Sequence, residues 1–167
     1  MALSKKNSDF QVLFVCTGNI CRSPFAEAVL KSLVDGDAGC GISVESAGIG
    51  ALKGNPPTDL ALIAAAETGI HMENHFSHPL TQELISKADL ILTMEKIQRN
   101  WIFRRWPEKG VVTHMLKNYG KSGPEEDIED PIGMDLDFYR ACFAEIILEV
   151  MRVFPLIQSA AEEGKRG

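Results

Sequence analysis

VCTGNICRSPFAEAVL, running from Val15 to Leu30, decides how the chain folds. It closes an apolar run, Val12-Leu13-Phe14-Val15, on a cysteine. Small and polar residues follow, then Arg22, Ser23 and Pro24, and then an alanine-rich stretch. Gln11 to Cys16 reads as a buried strand, because its apolar residues are consecutive rather than alternating. Pro24 to Val34 reads as a helix with an apolar face of Phe25, Ala26, Ala28, Val29, Leu30 and Leu33. Ser23 is the expected N-cap and Pro24 the first helical residue. A strand that ends on a thiol and feeds a helix through a glycine-containing turn sets the question for the rest of the chain.

Outward from that stretch, strand and helix signals alternate. Ile42 to Ala47 alternates as a second strand, and Leu52 to Pro57 is a Gly/Pro loop. Thr58 to Thr68 reads as a helix closed by Gly69. Thr81 caps a short helix through Ala88, and Asp89 to Met94 is a third strand. Glu95 to Trp106 is a helix stopped by Pro107, and Val111 to Leu116 a fourth strand. The polar segment from Lys117 to Gly133 reads as a loop. A last helix covers Asp135 to about Glu162, with Pro155 expected to end or kink it. This order predicts an α/β fold: a single three-layer domain with a four-stranded parallel sheet flanked by helices. Residues 1–9 read as a flexible arm, 10–163 as the domain and 164–167 as a tail. In such folds ligands sit at the carboxyl ends of strands, near a switch in strand order. Cys16 lies at one of those ends.

The bulk composition excludes several function classes. The chain has 167 residues, enough for one sizeable core. Its formal net charge of -6 argues against a general nucleic-acid surface. No apolar run approaches the ~20 residues that span a membrane, and the first nine residues have no signal-type core. A cytoplasmic protein, a monomer or weak dimer, is expected. Cys16, Cys21, Cys40 and Cys142 match neither a zinc site nor a disulfide framework. No metal and no cofactor are expected.

The turn Cys16-Thr17-Gly18-Asn19-Ile20-Cys21-Arg22-Ser23 can cradle an anion. Gly18 is expected to let the backbone curl, so that successive N–H groups point inward. The helix start adds unpaired donors and its positive end. Arg22 adds a planar fork suited to two phosphate oxygens. Cationic surroundings of this kind can lower a cysteine pKa into the range ~3.5–7.5, so Cys16 is expected as a thiolate. Ser23 can donate its hydroxyl to that sulfur. The chemistry implied is displacement at phosphorus through a cysteinyl-phosphate intermediate. Expelling a phenolate, whose conjugate acid has a pKa of ~10, then needs a proton donor. Asp130, fixed by Pro131, is the candidate, ahead of Glu126, Asp127 and Glu129.

Cys16-Thr-Gly-Asn-Ile-Cys-Arg-Ser-Pro24 with Asp130-Pro131 resembles the low-molecular-weight protein tyrosine phosphatases. Ser46-Ala47-Gly48, Gly69-Ile70, His75, Leu80-Thr81 and Asp89 to Met94 extend the likeness over most of the chain. The resemblance implies Cys16 as nucleophile, Arg22 as phosphate clamp and Asp130 as acid, then base. It implies that Asn19, Ser46 and His75 form a hydrogen-bond network behind the loop, and that Cys21 can trap oxidised Cys16 as a disulfide. Gly50-Ala51-Leu52-x-Gly54-x-Pro56 is similar to bacterial members linked to polysaccharide export. That likeness implies a phosphotyrosine protein substrate, an autophosphorylating bacterial tyrosine kinase or one of its targets.

The substrate slot departs from the family. Ile132 and Leu52 stand where aromatic walls are common, with Tyr119, Phe138 and Tyr139 as candidates to compensate. Losing an aromatic contact costs ~0.5–1.5 kcal/mol, about a decade in affinity. Three other readings compete with a tyrosine phosphatase. Protein-arginine phosphatases share the loop but carry threonine where Ile20 stands. Thiol-linked arsenate reduction needs relay cysteines that residues 71–95 lack. A phosphate-dependent binding module would have no use for the Cys16, Arg22 and Asp130 set.

Overall fold

The computed structural model describes residues 9–37 and 39–167. The expected N-terminal arm lies, but for Asp9, outside them. Four parallel strands run in the order β2-β1-β3-β4: β1 Phe10–Cys16, β2 Ile42–Gly48, β3 Leu90–Thr93 and β4 Thr113–Met115. The helices are α1 Arg22–Asp35, α2 Asp59–Glu67, α3 Gln82–Lys87, α4 Lys96–Arg105 and α5 Leu136–Arg166.

β1 is central and buried on both faces, which is why its apolar run is continuous. Val12, Phe14 and Cys16 join the core built with α1, α2 and α5, where Phe25 stacks on Phe143 at 3.9 Å. Leu13 and Val15 face the smaller core of Ile85, Ile91 and Ile102 under α3 and α4. From β1 the chain crosses to β2 on one side and later returns to β3 on the other. The carboxyl ends of β1 and β3 are therefore the switch point of the sheet. Cys16 ends β1 there, and Glu95 follows β3.

Four expectations need correction. α1 begins at Arg22, with Cys21 at its cap position and no side-chain cap, because the Ser23 hydroxyl is used elsewhere. β4 is shorter than expected: Pro107–Val112 forms a 3₁₀ segment, with the Thr113 hydroxyl bonded to Lys109 O at 2.7 Å. α5 does not end at Pro155. Val153, Ile157 and Ala161 bury the same face on both sides of the exposed proline, offsetting its lost hydrogen bond. The helix runs on to Arg166, through most of the stretch expected as a tail.

Gly48, at the end of β2, explains why the strand can touch the Cys16 loop. A Cβ there would stand 2.4 Å from Thr17 O and 3.0 Å from Asn19 N. Gly48→Ala should therefore lower stability by about 1–3 kcal/mol in urea unfolding. A loss under about 0.5 kcal/mol, the range of an ordinary surface change, would show that the loop moves aside freely.

Candidate active site

The loop after β1 curls at Asn19, not at Gly18. Asn19 carries the positive φ of 54°, whereas Gly18 is absent from the left-handed residues. Asparagine tolerates this region better than other non-glycine residues, and its side chain fixes it in place. The Asn19 amide donates to Ser23 Oγ at 2.8 Å and to Ser46 Oγ at 2.9 Å. Its Oδ1 accepts the His78 N–H at 2.9 Å, and its carbonyl meets His75 Nε2 at 2.8 Å. So turned, the Asn19 N–H points at Cys16 Sγ, 3.2 Å away, and Ser23 Oγ lies 2.9 Å from the same sulfur. Ser46 in turn donates to Glu27 at 2.5 Å. The structure thus brings Cys16, Asn19, Ser23, Ser46 and His75 into one buried hydrogen-bonded set.

Arg22 is 1% exposed, an uncommon place for a cation. Its Nη1 donates to Ile128 O at 2.7 Å and pairs with Glu95 Oε2 at 3.0 Å, while Nη2 reaches Asp130 Oδ2 at 3.2 Å. Burial works against its charge, but Cys16, Asp130 and Glu95 outweigh it and hold its pKa above the ordinary value. The Nε and Nη2 edge of a guanidinium offers a parallel pair of N–H groups that fits two oxygens of one phosphoryl group. No side chain caps α1, so the backbone donors of its first turn also stay open to an anion.

Asp130 is delivered by Ile128, the one apolar residue in the acidic stretch. Ile128 is buried, its N–H bonds to Met94 O at 2.9 Å, and its carbonyl takes the Arg22 bond. The Asp130 carboxylate also accepts the Ile132 N–H at 3.1 Å. Asp127, a rival in the sequence, instead accepts the Lys96 N–H at the start of α4, and Glu126 pairs with Lys117.

The two residues expected as slot walls are aliphatic and open to solvent. Leu52 is 73% and Ile132 53% exposed, on the loops flanking the Cys16 turn. Gly50 N bonds Thr17 O at 3.0 Å and ties the first of these loops to the turn. Tyr139 does not compensate for them. It is buried, and its hydroxyl lies 3.0 Å from Thr58 Oγ1 and 3.6 Å from Cys21 Sγ. Tyr119 and Phe138 are half-buried, Tyr119 tilted against His114.

Sequence reasoning missed Glu95 and Gln98. Both fall in Glu95 to Trp106, which reads along the chain simply as a helix, and the structure makes them the capping box at its start. Their place directly after the β3 strand, at the switch point, was the signal that could have found them. Among the described residues no cluster of three ligating side chains could hold a metal.

A thiol met by the Asn19 N–H and the Ser23 hydroxyl, with a buried guanidinium and a carboxylate beside it, is the arrangement of a thiol-dependent phosphomonoesterase. The chain belongs to the low molecular weight phosphotyrosine protein phosphatase family, whose profile matches residues 11–164. It is 40% identical over 132 residues to a protein-arginine-phosphatase of Bacillus subtilis, covering 77% of this chain and 84% of the relative. It is 37% identical over 133 residues to the low molecular weight protein-tyrosine-phosphatase Wzb of Escherichia coli, covering 79% and 84%. The YwlE arginine phosphatase structure from Geobacillus stearothermophilus superposes with a TM-score of 0.82 at 35% identity, covering 92% and 96%.

The buried thiols around this site bear on stability. Burial pushes Cys142 up to about 12, with Arg22 acting the other way, and burial also raises Cys21 against its bonds to Thr58 and Tyr139. An unfolded thiol ionises near its ordinary value of 9.0, so above that pH the unfolded chain releases protons that the native chain keeps. Stability should therefore fall as pH rises from about 9 towards 12. Cys142→Ala should flatten part of that slope in thermal melts taken across this window. An unchanged slope would place the alkaline loss elsewhere.

Proposed function

We propose that the enzyme hydrolyses phosphotyrosine in proteins through a cysteinyl-phosphate, with Cys16 as nucleophile, Arg22 as clamp and Asp130 as acid, then base. The observation that carries this reading is the Cys16 sulfur held at 3.2 Å by the Asn19 N–H, inside a turn that also presents Arg22. In the first step the sulfur bonds to phosphorus while the P–O bond to the phenol breaks. Asp130 gives its proton to the departing oxygen. In the second step water bonds to phosphorus, Asp130 takes a proton from it, and the S–P bond breaks. The sulfur leaves as a thiolate, eased by the Ser23 hydroxyl at 2.9 Å. Two half-reactions through one carboxyl return the site to its starting state.

Tyrosine is favoured by the wall chemistry. Ile20 is half-buried beside the anion cradle, and Leu52 and Ile132 flank it, so the stem above the phosphate meets aliphatic surface. A phenyl ring buries well on such a surface, whereas a guanidinium would leave polar N–H groups facing methyl groups. A phosphotyrosine protein fits as substrate, since the relative Wzb is named a protein-tyrosine-phosphatase, and a bacterial tyrosine kinase or one of its targets is the candidate that the likeness at Gly50 to Pro56 implies. The arginine reading has its own support in the 40% identity to a protein-arginine-phosphatase.

Parallel turnover of a phosphotyrosine peptide and a phosphoarginine peptide separates the two. The tyrosine reading expects phosphotyrosine to be the better substrate of the wild type, with Ile20→Thr shifting preference towards phosphoarginine. Better phosphoarginine turnover by the wild type would reverse the assignment. Cys16→Ser should abolish turnover of para-nitrophenyl phosphate. Asp130→Ala should slow phenyl phosphates by about 10²–10⁴, and esters with strongly acidic leaving groups far less. Equal losses on both would remove Asp130 from the acid role.

A further inference from the structure

Arg22 can clamp phosphate only if its fork is aimed, and one of its anchors is Glu95, the part-buried carboxylate that caps α4 just after β3. Gln98 sits beside that anchor with 0% exposure. Its Oε1 accepts the Met94 N–H at 3.0 Å and the Glu95 N–H at 2.8 Å. Its Nε2 donates to Glu95 Oε2 at 2.9 Å and to Thr17 Oγ1 at 3.2 Å. That Glu95 oxygen is the one paired with Arg22 Nη1. A single buried amide therefore joins three parts: the end of β3, the carboxylate under Arg22 and the first residue of the thiol loop.

We propose that Gln98 is a positioning residue for phosphoryl transfer, which sets the Glu95–Arg22 pair and ties it to the thiol loop at Thr17. The inference rests on Arg22 acting as the phosphate clamp. Gln98 touches no reacting atom and acts through Glu95 and Thr17. Neutrality is the property that matters. An amide offers two acceptor bonds to the backbone and two donor bonds to the site at once, in one planar group. A carboxylate of the same shape keeps the first pair but turns repulsive towards Glu95.

The test compares wild type, Gln98→Glu and Gln98→Met in kcat, KM and vanadate inhibition from pH 5 to 8, with para-nitrophenyl phosphate as substrate. Several charges face this position: Arg22 and Asp130 from the site, Glu95 itself, and Lys96 and Arg99 on α4 with Asp127 and Glu125 opposite. The readout is therefore the ratio of each variant to wild type at each pH, which cancels their shared titrations. Gln98→Met should lose about tenfold in kcat/KM at every pH. Gln98→Glu should lose more at pH 8 and recover towards pH 5, where a protonated carboxyl can again donate to Glu95. Vanadate affinity should follow the same pattern. A flat ratio for Gln98→Glu, or a Gln98→Met within twofold of wild type, overturns the proposal.

A double-mutant cycle with Glu95→Gln guards against a simple folding defect. If Gln98 acts through Glu95, Gln98→Met should cost little more once Glu95 is neutral. Full additivity of the two losses overturns the proposal whatever the melting temperatures. A wild type without turnover or vanadate inhibition would instead remove the phosphatase reading on which this inference stands.

Discussion

Burying one guanidinium is the constraint around which this site is organised. Taking a cation out of water costs several kcal/mol unless its hydrogens find good partners. Arg22 meets that demand with Glu95 from the end of β3, and with Ile128 O and Asp130 from the loop before α5. Three chain segments far apart in sequence converge because each supplies part of that compensation. The same convergence fixes the guanidinium in place beside the Cys16 loop. Stability and chemistry are thus served by the same few bonds.

The thiol loop is held from the other side by backbone geometry. Asn19 occupies a left-handed conformation that costs energy for any residue with a side chain, and its amide and carbonyl recover that cost through Ser23, Ser46, His75 and His78. β2 contributes by ending on Gly48, whose missing side chain lets Thr17 and Asn19 approach. The loop is therefore preorganised before substrate arrives, with its N–H on the sulfur already in place. Tyr139, one of the three aromatic residues that the sequence reading offered as a replacement wall, is instead engaged in the core with Thr58 and Cys21.

The sequence by itself determined the order of elements, three of the four strands, and the place of the thiol loop at the end of the central strand. Consecutive apolar residues over a short run suit a strand covered on both faces, and a thiol at its end followed by an arginine at a helix start marks the loop for chemistry. Only the tertiary structure decided which residues support that set. Glu95 and Gln98 read along the chain simply as part of a helix, and become anchors for Arg22 only because β1 and β3 are neighbours at the switch point. Asn19 rather than Gly18 takes the strained turn because its partners, Ser46, His75 and His78, arrive from elsewhere in the fold. Pro155 passes through a continuous helix because buried residues on both sides outweigh a local rule. Short-range signals report what a segment prefers. Where a buried charge or a strained turn finds its compensation is settled by contacts between distant segments, and these exist only once the chain has folded.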